Sequence, residues 1–156
     1  MAFSGRLTIS ARGEVAAASP YSNNVRALFS HDEPYTDTAA AVYYQTLTIG
    51  ATSTTAIDLT TITDAFGTAL GSTAVYTMII STPSTNGGTV TVSPSSSDGW
   101  TGLLADASDV LNLSANSRLI IDSTAGIAVS GSSKDLDFGN ATGSAQTVSL
   151  FVVAKT

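Results

Sequence analysis

The sequence predicts an all-β protein, an antiparallel β-sandwich preceded by an extended N-terminal arm. Three observations predict it. From Tyr43 onward, apolar and polar residues alternate with a period of two. Clusters of Ser, Asn, Asp and Gly separate these stretches, as turns separate antiparallel strands. No apolar stripe recurs at helical spacing for three turns, in a chain dominated by Thr, Ser and Gly.

Taken in order, residues 1–40 read as an arm and a connection, with one or two strands at Leu7/Ile9 and Val25/Leu28. Those strands belong either to the arm or to an edge of the sandwich. Ala16-Ala17-Ala18, Pro20, Pro34 and the polar stretch from Ser30 to Thr38 interrupt the alternation. Residues 41–156 read as the sandwich. In Tyr43 to Ile49, Tyr43, Leu47 and Ile49 share one face and the threonines the other, and Ile57 and Leu59 continue the pattern. Val75 to Ile80 is apolar on both faces apart from Thr77, which predicts a central strand covered on both sides. Shorter alternations follow at Val90/Val92, Leu111/Leu113, Leu119/Ile121, Ile127/Val129, Leu136/Phe138 and Val148/Leu150/Val152, so about nine strands are expected. The segments 84–88, 95–99, 123–126 and 139–143 read as turns, since Gly and Asn supply positive φ and Ser and Asp satisfy local backbone groups. Single capped turns are expected at Thr63 to Gly67 and at Leu103 to Val110, the latter with Asp106 or Ser108 as cap.

At 156 residues the chain is the size of one domain with one core. Charged residues make up 12% of it, against about 25% in ordinary globular proteins. The 22 serines and 23 threonines therefore solvate the surface in place of charges. Such a surface suits a protein docked to neighbours, because few charges need desolvating. With 43% apolar residues in periodic runs, disorder is excluded. The absence of cysteine excludes a disulfide scaffold, a thiolate zinc site and thiol catalysis. The N-terminus alternates and lacks the apolar core of a signal peptide, and no run approaches the roughly 18 apolar residues of a membrane span. Synthesis and assembly in a cytoplasm is the expectation, with no membrane partner.

The net charge of −6 is unevenly placed. Arg6, Arg12 and Arg26 against Glu14 leave +2 on residues 1–30, whereas 11 acids against Arg118, Lys134 and Lys155 leave −8 on residues 31–156. A body this acidic is not expected to bind nucleic acid. The three arginines are the candidate contact residues of the arm.

Chemistry-bearing constellations are sparse. The single histidine, His31, lies in the polar run Ser30-His31-Asp32-Glu33-Pro34 and reads as a surface-loop residue; no Gly-x-Ser-x-Gly elbow accompanies it. Asp135 and Asp137 alternate and so share a face, where Asn140 or a loop carbonyl would complete a calcium site, but EF-hand spacing is absent. Paired acids at a strand edge that discourage aggregation are the favoured reading, and Asp106/Asp109 is a second acidic pair. Asn86-Gly87-Gly88-Thr89 lacks the lysine of a phosphate loop. Asn112-Leu113-Ser114 and Asn140-Ala141-Thr142 match glycosylation acceptors but carry no weight without export. Trp100, flanked by glycines, caps the core in the favoured reading, and Tyr43, Tyr44 and Tyr76 read as sheet residues. No catalytic residue, cofactor or metal is assigned.

The run Ala56-Ile57-Asp58-Leu59-Thr60-Thr61-Ile62-Thr63-Asp64-Ala65-Phe66-Gly67, followed by the apolar strand Ala74 to Ile80, resembles a recurring pattern in small virion proteins of tailed bacteriophages. The Trp100 to Leu104 loop, the Arg118-Leu119-Ile120-Ile121 strand and the closing strand Thr147 to Ala154 match in order and spacing. The usual glycine-containing turn before the Leu-Ile-Ile strand is here Ser114-Ala115-Asn116-Ser117, which keeps turn chemistry. The resemblance spans about residues 43 to 155. It implies a jelly-roll-like sandwich of the capsid cement or decoration type, a non-enzymatic subunit on the capsid surface that binds the major capsid protein and self-associates as a dimer or trimer. Two alternatives are a tail- or fibre-associated virion protein and a carbohydrate-binding module using Trp100, Tyr21 or Tyr35.

Overall fold

The structure, a computed structural model, describes residues 3–15, 25–37, 40–64, 67, 69, 71–106 and 108–156, with backbone pairing alone for 3–15, 25–37 and 40. The chain divides into two units, Met1–Ala39 and Ala40–Thr156. Every described element is a strand.

In the first unit, β1 (Phe3–Val15) and β2 (Val25–Asp37) pair antiparallel from Phe3↔Asp37 to Val15↔Val25. They form a two-stranded sheet of their own and are edge strands of neither sandwich sheet. The polar run expected as a connection is therefore mostly strand: His31 lies in β2 opposite Ile9, not in a loop. Backbone pairing asks only for N–H and C=O groups, and Pro34, which lacks the donor, is tolerated because each strand of a two-stranded ribbon has an open edge. The Ala16 to Ala18 run and Pro20 lie outside the described residues.

The second unit holds β3 (Ala40–Ile49), β4 (Ser53–Asp58), β5 (Ala74–Ser81), β6 (Val90–Pro94), β7 (Leu111–Leu113), β8 (Arg118–Ala128), β9 (Asp135–Asn140) and β10 (Gln146–Lys155). Two four-stranded antiparallel sheets result, in the orders β3-β10-β5-β8 and β4-β9-β6-β7. Counted within this unit, the orders are 1-8-3-6 and 2-7-4-5, so consecutive strands mostly alternate between sheets. That winding is the eight-stranded jelly roll.

The core lies between the sheets. Tyr43, Leu47, Ile49, Val75, Met78, Ile80, Val148, Leu150 and Val152 cover one inner face, and Val90, Val92, Leu113, Leu136 and Phe138 the other. Leu59, Ile62, Trp100 and Val129 close it from the loops. The alternation expected in β3, β6, β9 and β10 places these residues inward.

Eight strands replace the nine expected, because Leu119/Ile121 and Ile127 belong to the one strand β8. Ser123 to Gly126 is not a hairpin turn but an excursion: Asp122 faces Thr77 and Ile127 faces Val75, so four residues of β8 oppose the single Tyr76. Gly126 supplies the positive φ of 78° that this bulge requires. Tyr76 is also the extra residue against β10, where Val153 faces Thr77 and Ala154 faces Val75. The bulge shifts the inward parity of β5 from Val75 to Met78 and Ile80. β5 is central, as expected, and on its outer side Thr77 is buried while Tyr76 and Ile79 are half-buried.

Loops are braced by side chains that imitate backbone. Asn86 donates Nδ2 to the Thr147 carbonyl at 2.8 Å and accepts from the Thr147 N–H at 2.9 Å, extending the pairing of β10. Asn116, in the turn before β8, adopts a φ of 59°. Asp106 Oδ1 accepts from the N–H and the hydroxyl of Ser108, a turn with no helix. In the expected Thr63 to Gly67 turn, the Gly67 N–H meets the Asp64 carbonyl at 3.0 Å, and Ala65 and Phe66 lie outside the described residues.

Candidate functional site

A sandwich offers two outer sheet faces, and here they differ in chemistry. On β4-β9-β6-β7, outward residues fall in rows by register: Thr54, Gly139, Thr91 and Asn112; then Ala56, Asp137 and Ser93; then Asp58 and Asp135. Every one is small, polar or acidic.

Asp58 and Lys134 join in an ion pair of 2.7 Å, and Thr60 donates both N–H and hydroxyl to Asp58 Oδ1. Desolvation is the largest single influence on Asp58 and pushes its carboxyl up, but hydrogen bonds from Lys134 and Thr60 and the Lys134 charge together hold it below the ordinary value. The same hydrogen bond raises Lys134. Asp135 is raised, first by desolvation and then by the charge of Asp58. Asp137 Oδ1 is shielded from solvent and makes no hydrogen bond.

The expected grouping of Asp135, Asp137 and Asn140 does not form. Asn140 turns inward, donating Nδ2 to the carbonyls of Ile49, Gly50 and Ser144 and accepting on Oδ1 from the Thr142 N–H and hydroxyl. It stands five positions after Asp135, so strand alternation puts them on opposite faces. The edge reading of these acids is also corrected, because β9 lies between β4 and β6. Among the described residues no three His, Asp or Glu side chains are grouped to hold a metal ion.

The outer face of β3-β10-β5-β8 carries a row no strand reveals by itself. Phe151 faces Tyr44 on one side and Ile79 on the other, and Ile79 faces Ile120. Tyr44, Phe151, Ile79 and Ile120 thus form an apolar stripe across all four strands. Its ends are 67% exposed at Tyr44 and 38% at Ile120, and its middle is half-buried. One flanking row is Thr46, Ser149, Ser81 and Arg118, with Thr46 and Ser149 hydroxyls 3.2 Å apart. The other is Val42, Val153, Thr77 and Asp122, where Thr77 donates its hydroxyl to Asp122 Oδ1 at 3.0 Å. Each member of the stripe is an apolar residue at an outward position of its strand, a signal present in the sequence, but cross-strand register is what brings the four together.

Among the arm candidates, Arg6 lies opposite Pro34, Arg12 opposite Leu28 and Arg26 opposite Glu14 in the β1-β2 ribbon. Trp100 is 0% exposed, its Nε1 donating to the Ala128 carbonyl at 2.8 Å, so it presents no face to a glycan. Tyr35 is in β2, and Tyr21 lies outside the described residues. Among the described residues no helix is long and apolar enough to cross a membrane.

No protein-family model matches the chain, and no curated protein does. A solved structure from work describing Bacillus endospore appendages as a novel family of disulfide-linked pili is similar at 12% identity, covering 74% of this chain and 89% of that one, with a TM-score of 0.37.

Proposed function

We propose that this chain is a non-catalytic structural subunit of a tailed-bacteriophage particle, a decoration or cement protein seated on the capsid surface and bridging major capsid subunits. The observation that carries the reading is the apolar row on one outer face of a jelly-roll body whose other outer face is small, polar and acidic. Jelly rolls serve viral shells among other uses, and the sequence pattern of residues 43 to 155 resembles small virion proteins. A charge-poor, hydroxyl-rich surface docks at small desolvation cost.

The mechanism is mechanical. A subunit that touches two capsomers at once turns its second contact into an intramolecular event, so weak contacts combine. Binding to the assembled shell and not to its separated parts raises shell stability by linkage. The candidate contacts are the apolar row, the loop tips and the arm with Arg6, Arg12 and Arg26. Self-association as a dimer or trimer fits the symmetry axes of a shell.

Cryo-electron microscopy of particles from a phage encoding the chain tests the placement. Density for the jelly roll over capsomer junctions supports the reading, and density confined to the tail or fibres overturns the capsid position.

A further inference from the structure

We propose that the outer edge of β1 pairs with β1 of a second copy of this chain, antiparallel about a two-fold axis at Ser10, so that two ribbons join into one four-stranded sheet. This rests on the self-association in the reading above and is independent of the shell.

Among the described residues β1 pairs with β2 alone. A two-stranded ribbon is marginally stable by itself, and three or more strands with an apolar face are needed for it to hold. The two edges are unlike. β2 contains Pro34, which lacks an N–H and blocks added pairing, whereas β1 runs for 13 residues without proline. β1 is therefore the edge left open, and addition of a strand is the mode of recognition it suits.

The pattern of β1 fits its own copy. Apolar residues and glycine fill the odd positions from Phe3 to Val15, and Ser, Thr, Arg and Glu fill the even ones from Ser4 to Glu14. Alternation puts the two sets on opposite faces, so an added strand must alternate in the same way to continue both. Two copies of β1 do so in any register that sets odd positions against odd. Centred on Ser10, the register places Arg6 opposite Glu14 of the second copy, twice by symmetry. It also sets Ile9 opposite Ala11 and Leu7 opposite Gly13, so large residues face small ones. Opposite charges at facing positions stabilise a strand pair. Centred on Ile9 instead, Arg6 would face Arg12, a like-charge pair that opposes association. Within the ribbon Glu14 already lies opposite Arg26, so the joined sheet carries a row Arg26, Glu14, Arg6 in which the sign of charge alternates.

The chain holds no cysteine, so one introduced thiol reports on its own symmetry mate. Directly opposite residues of antiparallel strands stand about 4.5–5.5 Å apart at Cα, within disulfide reach. Under diamide, which takes up the two thiol hydrogens as the S–S bond forms, the whole chain carrying Ser10→Cys is expected to link into a dimer at least about tenfold faster than one carrying Ser4→Cys, whose two copies lie far apart in this register. Equal rates overturn the register. In sedimentation equilibrium up to about millimolar concentration, the parent is expected to associate reversibly, and Arg6→Glu and Glu14→Arg each to weaken association about tenfold. An equimolar mixture of the two variants is expected to recover it, because both cross-pairs are then of opposite sign, a recovery that misfolded chains could not give. A parent monomeric throughout, or no recovery on mixing, overturns the proposal. A self-associating chain absent from particles leaves the paired edge standing and overturns the shell reading; a chain abundant on particles whose Ser10→Cys variant does not link overturns the paired edge and leaves the shell reading.

Discussion

Trp100 Nε1 donates to the Ala128 carbonyl at 2.8 Å, tying the loop after β6 to the last residue of β8 in the other sheet. The indole is wholly enclosed, and a Cβ on Gly102 would come within 2.6 Å of its ring and 2.3 Å of Ile127 Cγ2. Trp100→Ala should lower unfolding free energy by about 4 kcal/mol through the cavity, and Trp100→Phe by about 2 kcal/mol, since the Ala128 carbonyl then loses its donor. Denaturant unfolding with an unchanged m-value checks both. Gly102→Ala should destabilise through the same contact.

Asn140 sits where one amide serves five partners. Asn140→Ala removes the bonds donated to the carbonyls of Ile49, Gly50 and Ser144 and those accepted from Thr142, and should cost about 3 kcal/mol. Asn140→Asp should be no better at neutral pH, because a carboxylate would face three carbonyl oxygens, and it should recover partly in acid. Thermal melts of both variants at pH 3 and pH 7 measure the difference.

The Lys134–Asp58 pair sets a pH window. Asp58 is held below its ordinary value, so its stabilising effect is complete above the unfolded carboxylate pKa and is lost as pH falls through the folded one. Lys134 is raised, so its effect is complete below the unfolded lysine value and is lost as pH rises through the folded one. Lys134→Met should therefore lower the melting temperature by a constant amount on the plateau between the two titrations. The gap should shrink at both acid and strongly alkaline pH.

Asp135 works in the opposite direction. The contribution of its raised carboxyl is complete below the unfolded value and is lost as pH rises through the folded value. Asp135→Asn should thus gain relative to the parent on going from acid to neutral pH. Asp137→Thr removes an unbonded carboxylate oxygen and a like charge beside Asp135 and adds a strand-favouring side chain. A stability gain of about 1 kcal/mol is expected.

Much of the fold was legible because a half-buried strand writes its inward face into alternate residues. Tyr43, Leu47 and Ile49 in β3 and Val148, Leu150 and Val152 in β10 are inward as their spacing implies. Features that depend on neighbours were not legible. Ser123 to Gly126 has turn composition whether it ends a strand or bulges from one, and only the pairing with β5 distinguishes them. Asp135 and Asp137 look like edge residues until β4 and β6 flank them. The polar run around His31 carries no apolar pattern, so its pairing with β1 left no trace. The same holds for the stripe: Tyr44 and Phe151 lie more than a hundred residues apart, and register alone makes them adjacent.

The most direct measurement is the copy number of this chain in purified particles of a phage encoding it, by quantitative mass spectrometry against the major capsid protein. A cement role predicts copies comparable to the shell subunit, reduced on loss of residues 1–30 or by Ile120→Lys with the fold retained. Absence from particles, or only a few copies per particle, would contradict it.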